Sequence, residues 1–272
     1  MIKGIIKNRW FTAIALVVAA AVLVTCSTVP ITGRKQLNLI PESEIMSMSF
    51  SEYDAFLKEN KLSTNKEQTE MVKRAGNKIA NAVEIYLKEQ GLSSRIKDFK
   101  WEFNLVDDAT PNAWCMPGGK VVFYSGILPI CKDEAGVAVV MGHEIAHAVA
   151  KHGSERMSQQ LGVQAGATAL SVMMREKPQQ TQQIYMSAFG VATQVGMLLP
   201  YSRTHEYEAD KLGLIFMAIA GYDPSTAVDF WTRMSTLGGA STPAYLSTHP
   251  SNANRIEAIK KELPEAMRYY KR

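Results

Sequence analysis

The alternation of apolar and polar residues divides the chain before any chemistry is considered. Between Asn65 and Gly91, the residues Val72, Ala75, Ile79, Val83 and Tyr86 recur at steps of three and four, which is one face of a helix. A second helical pattern starts near Ser43. KWEFNLVDD (100–108) changes to a period of two, and GGKVVFYSG (118–126) is rich in β-branched and aromatic residues, so both read as short strands. From Asp133 the period is helical again. DEAGVAVVMGHEIAHAVAKHG (133–153) opens on acids and closes on Lys151, His152 and Gly153, the polarity a helix dipole favours. Two helices rich in Ala, Gly and Met follow, parted near Lys177-Pro178. Another runs from about Ser202 to Ala220, where Gly221 and Pro224 stop it, and smaller ones cover 225–237 and 252–269. The pattern predicts an α+β fold, mostly helical, with a small sheet ahead of the 133–153 helix and no internal repeat.

Two segments carry apolar runs of another kind. At 161–174 and 184–199, Gln164, Gln182, Gln183 and Gln194 interrupt the runs and neither reaches the length of a membrane span, so they are expected to be buried or to form a lid over a cleft. At the N-terminus a basic stretch ending at Arg9 leads into WFTAIALVVAAAVLV and then LVTC (23–26), the layout of a secretory signal. The ending is similar to a bacterial lipobox, although Thr25 stands where Gly, Ala or Ser is usual. This predicts a signal over 1–26 and a lipid anchor at Cys26. It also predicts export to the periplasmic side of a bacterial envelope, at the outer membrane. STVPITGRKQLNLIP is polar and aperiodic and reads as a tether over 27–42, leaving one domain over 43–272.

Composition changes this picture little. With 46% hydrophobic and 21% charged residues in 272, the body is an ordinary globular one. Of the net charge of +4, Lys3, Lys7 and Arg9 contribute three, so the body is nearly neutral and nucleic acid is dropped as a partner. Cys115 and Cys131 are read as two small buried thiols rather than a disulfide pair.

The candidate chemistry sits in VVMGHEIAHAVAKHG (139–153), where His143, Glu144 and His147 interrupt a small and apolar run. Unpartnered, such groups are costly to bury. On a helix, positions i and i+4 lie about 6 Å apart on one face, so both imidazoles can address one point with Glu144 beside it. That is the HExxH arrangement, in which two neutral imidazoles hold Zn²⁺ and the glutamate is the general base. A third ligand must come from elsewhere. Ala150 and Gly153 exclude the HExxHxxGxxH extension. His152, nine residues from His143, falls about 180° around a continuous helix and reads as a capping charge facing away. SRTHEYEAD (202–210) is the better source: Glu206 and Asp210 share a helix face, with Glu208 and His205 as rival ligands.

HEIAH followed some sixty residues later by SRxxExxAD resembles the family-48 zinc metallopeptidases, and most of residues 65–262 resembles them, above all the exported lipoprotein-type and mitochondrial stress-protease members. The resemblance implies a gluzincin-type domain with one zinc per chain, held by His143, His147 and Glu206, with Asp210 steadying a ligating histidine. PNAWCMPGGKVVFYSGIL (111–128) is similar to the family's NAxxxPGG segment. It implies a strand edge at Asn112, Ala113 and Trp114 to which an extended peptide adds. STHPSNANRI matches the HPxxxxxR element and implies catalytic or regulatory roles for His249 and Arg255. The implied activity is peptide-bond hydrolysis of misfolded or membrane-associated envelope polypeptides, with Glu144 as base. A non-proteolytic chaperone that keeps the site is the alternative, and the oligomeric state is left open.

Overall fold

A computed structural model describes residues 26–30, 32–237, 244–250 and 253–271. Of the signal expected over 1–26, residues 1–25 lie outside the described residues. Strands β1 (Cys26–Thr28) and β2 (Lys35–Leu37) form an antiparallel hairpin, pairing Cys26 with Leu37 and Thr28 with Lys35. The stretch read as a tether is therefore packed structure, for a reason no local pattern shows. Gln36 is buried, donating Nε2 to the Ala150 carbonyl at 2.9 Å, and the Leu39 amide bonds Ser158 Oγ at 2.9 Å.

Helix α1 covers Glu42–Glu59 and α2 covers Lys66–Glu89. The apolar stripe of α2 is its buried face, Asn65 caps its start by accepting from the Gln68 amide, and Gly91 ends it at φ 68°. There the Gly91 amide bonds Lys88 O and the Leu92 amide bonds Leu87 O, a glycine-terminated helix end. Strands β3 (Glu102–Val106), β4 (Ala113–Met116) and β5 (Lys120–Tyr124) form a sheet of order β3-β5-β4, with β3 parallel and β4 antiparallel to β5. β4 is thus an edge strand. Gly118 and Gly119, both at positive φ, turn the chain between β4 and β5.

After a short helix α3 (Leu128–Cys131), helix α4 (Glu134–Val149) is buried from Gly136 to its end. A helix apolar all round belongs at the centre of a domain, and α4 packs against α2, α7 (Leu199–Ile219) and α8 (Thr226–Thr236). At the α4–α7 crossing two glycines meet. A Cβ on Gly142 would stand 3.0 Å from Gly213 O, and one on Gly213 would stand 3.0 Å from Gly142 C. The absence of side chains there lets the two backbones approach closely, beside His143. Helices α9 (Ala244–Thr248) and α10 (Ala253–Ala266) complete the body. The fold is the predominantly helical α+β expected, with its small sheet ahead of α4.

Two expectations need correction. Helix α4 does not run through to Gly153: Lys151 adopts φ 60°, and α5 (His152–Met174) starts in a new direction. In addition, α5 buries side chains only up to Gln159, and α6 (Gln179–Thr193) buries none. The two helices pack on each other while leaving Val172, Met173, Ile184 and Val191 exposed, so of the two alternatives, buried or a lid, burial is the one corrected. Among the described residues no helix is long and apolar enough to cross a membrane. Cys115 and Cys131 are free thiols, the second buried.

Candidate metal centre

Helix α4 places His143 and His147 one turn apart, α7 brings Glu206 across the glycine crossing, and the end of α9 delivers His249. Nε2 of His143 lies 3.1 Å from Nε2 of His147 and 3.1 Å from Nδ1 of His249. Glu206 stands 3.4 Å from each of the first two and 3.1 Å from His249. One ligand atom from each of the four falls within 4.8 Å of all the others. Tetrahedral zinc with bonds of about 2.0–2.1 Å sets its ligand atoms about 3.3 Å apart, so the donor set fits that ion in chemistry and in spacing.

The surroundings fix the charges of this cluster. Burial acts to raise the Glu206 carboxyl, but bonds from His143, His147 and His249 hold it well below the usual range, so it is an anion. Burial drives His147 well below its ordinary value, leaving it neutral. At His143 burial acts downward, yet Asp210 and Glu206 outweigh it and raise the group to about 9. A metal entering there displaces that proton, so occupancy falls as pH falls. Asp210 lies 2.9 Å from His143 Nδ1 and accepts two bonds from Arg255, at 2.7 and 2.8 Å. Arg255 also reaches Glu206 at 3.0 Å and stacks 3.5 Å over Trp231. Its guanidinium is committed to the carboxylates around the ligands and is 2% exposed.

Glu144 is buried and accepts a 2.8 Å hydrogen bond from the Tyr245 hydroxyl. Burial first, and then the Glu144 charge, raise Tyr245 well above its ordinary value, so it stays a donor. His249 Nε2 is 3.4 Å from the same carboxylate. Asn112, Ala113 and Trp114, at the start of β4, line a cavity of about 420 Å³ together with Glu144, His147 and His249. Pro250, the next residue, lines a second cavity of about 500 Å³ with Glu206 and Tyr207. Thr248 and His249 thus line the first cavity, and Pro250, Asn254 and Arg255 the second.

The rival ligands point elsewhere. His205 bonds Glu155 at 2.9 Å, and Glu208 bonds His152 and Arg34, so neither joins the cluster. His152 is corrected as well. Because α4 breaks at Lys151, it does not face away but meets His147, Nδ1 to Nδ1, at 2.9 Å. Burial lowers its pKa to about 4 against the pull of Glu208. Sequence reasoning missed Tyr245, His152 and Arg34. The only local signal was Tyr245 standing four residues, one helical turn, before His249.

The sequence profile described as peptidase family M48 matches residues 68–263, most of the chain and every member of this cluster. The chain belongs to peptidase family M48. M48 enzymes use zinc, and the four convergent groups are a set able to hold it. The mitochondrial metalloendopeptidase OMA1 of Schizosaccharomyces pombe is 40% identical over 175 residues, covering 64% of this chain and 50% of the relative. OMA1 of Saccharomyces cerevisiae is 34% identical, covering 69% and 54%. The metalloprotease YcaL of Escherichia coli is 24% identical over 191 residues, covering 68% of this chain and 73% of the relative. The chain spans about half the length of the OMA1 relatives it matches.

Proposed function

We propose that this M48 chain is a zinc-dependent endopeptidase, with His143, His147 and Glu206 as ligands and Glu144 as general base. One observation carries the reading: four groups able to bind a metal converge, and a buried carboxylate stands beside them in a cleft walled by an edge strand. Zinc, when bound, supplies Lewis acidity toward a peptide carbonyl and acidifies a water. Glu144 takes the proton of the attacking water and passes it to the departing amine. Asp210 accepts from Nδ1 of His143, leaving Nε2 free to coordinate, and Arg255 balances the charge of Asp210. Tyr245 holds the Glu144 carboxylate in place.

His249 acts as a plug. Its ring would fill the coordination position that a catalytic zinc keeps open for water and substrate, and would leave it when substrate enters. A substrate strand pairs with β4 at Ala113 by backbone hydrogen bonds, with Asn112 and Trp114 on either side of it. That mode discriminates weakly between side chains and suits unfolded polypeptides. The sequence motifs at 1–26 support an exported, lipid-anchored setting, and the likeness to the OMA1 metalloendopeptidases and to the metalloprotease YcaL agrees with polypeptide substrates. A chaperone role without hydrolysis has less support, because Glu144 would then be dispensable.

Metal removal tests the reading. Purified protein stripped with a chelator is expected to lose cleavage of an unfolded protein such as casein and to regain it with zinc. Undiminished cleavage by the metal-free protein would contradict it.

A further inference from the structure

The two histidines of HEIAH are supported in different ways. His143 turns Nδ1 to Asp210, which Arg255 clamps. The corresponding nitrogen of His147 meets another imidazole, Nδ1 of His152, at 2.9 Å. His152 in turn sets Nε2 3.0 Å from Glu208 Oε2. Glu208 is clamped by Arg34, whose Nε donates to Oε1 at 3.0 Å and Nη2 to Oε2 at 2.9 Å, and it also accepts from the Thr32 hydroxyl at 2.7 Å. Each histidine thus ends on a carboxylate held by an arginine, with one extra imidazole in the second line. His152 and Glu208 are both buried.

One assignment of protons satisfies this line. Two Nδ1 atoms facing each other at 2.9 Å must share a single proton. His147 turns Nε2 to the ligand cluster, where coordination needs a lone pair, so the proton of its neutral ring is on Nδ1. That N–H donates to Nδ1 of His152, whose own proton is on Nε2 and donates to Glu208. The hairpin that carries Arg34 is set against the same elements. Both Arg34 Nη atoms donate to Glu155, at 2.7 and 2.8 Å, and Gln36 binds the Ala150 carbonyl beside the turn that aims His152.

We infer that His152, Glu208 and Arg34 are positioning residues that fix the tautomer and ring orientation of His147, making the β1–β2 hairpin a working part of the metal site. Thr32 and Arg34 lie before residue 68, where the family match begins, so this arm is an addition to the matched region. The inference rests on the ligand set proposed above. Partners of metal-bound histidines typically change metal affinity by about 10- to 100-fold.

The test uses the full chain with ¹⁵N-labelled histidine, loaded with zinc. The His147 proton is expected on Nδ1 in its ¹H–¹⁵N spectrum. His152→Phe keeps the volume but no acceptor, and should weaken zinc by about 10- to 100-fold and abolish that hydrogen-bonded signal. His152→Gln, whose amide oxygen can accept, should restore part of both. Arg34→Lys keeps a charge between Glu155 and Glu208 without clamping them, and should weaken zinc to a smaller extent. It decides the matter if His152→Phe fails to fold. His147→Ala is measured alongside. If it binds zinc as tightly as the parent, the ligand set itself is wrong. If it loses zinc while His152→Phe and Arg34→Lys bind as tightly as the parent, only the relay is overturned.

Discussion

His249 is held by the two groups that would have to release it for catalysis. Its Nδ1 lies 3.1 Å from His143 Nε2 and 3.1 Å from a Glu206 oxygen, while Tyr245, on the same short helix, bonds Glu144. The candidate metal ligands and Glu144, the proposed base, are thus covered by one segment. His249→Ala is expected to keep zinc on the three remaining ligands and to raise basal casein cleavage. An activity lower by about 10²-fold at unchanged zinc content would instead make His249 an oxyanion donor. At this scale the sequence was legible where geometry is local. HEIAH fixes two imidazoles and a carboxylate on one helical turn, and ExxxD puts Glu206 and Asp210 on one face of α7. Tyr245 touches Glu144 across 101 residues and Arg34 touches Glu208 across 174, so no window of sequence contains either contact.

Among the elements, the α4–α5 break decided most of what sequence reasoning got wrong. Polar residues at 151–153 read as a helix C-terminus, but the helix ends four residues before Gly153, at Val149. A non-glycine residue at φ 60° then sent the next helix back under His147, and no helical wheel anticipates that. The hairpin was misread for a related reason: its three-residue strands are too short for a period of two to register. What holds it down is electrostatic. Burial acts to raise Glu155, but bonds from Arg34 and His205 bring it down to about 2. Burial likewise acts upward on Glu208, and His152, Arg34 and Thr32 bring it to about 2. A carboxylate depressed in the folded state stabilises it above the unfolded value, here the ordinary 4.5, and loses that contribution as pH falls toward 2. The melting temperature of metal-free protein is therefore expected to fall between about pH 4.5 and 2, less steeply in Glu208→Gln. A flat profile across that window would contradict the clamp.

For the whole molecule, the change of periods gave the α+β class and the place of the sheet, because α2 buries one regular face while α4 and β5 are apolar runs buried on both sides. Of its two readings for 161–199, buried or a lid, the buried one was wrong, because apolar content without a fitting partner surface reads like core. The exposed residues of α5 and α6 also bear on location. If a lipid at Cys26 is the anchor, Cys26→Ala should move the protein from a detergent-requiring to a water-soluble fraction. Unchanged membrane association would point to a retained N-terminal segment or to the α5–α6 surface. The central claim, that a metal held by three side chains works with Glu144 as base, meets its most direct test in one paired measurement on Glu144→Gln. The account predicts bound zinc equal to the parent's, near one per chain, with casein cleavage reduced by about 10²- to 10⁴-fold. A variant that kept its zinc and its turnover would contradict it.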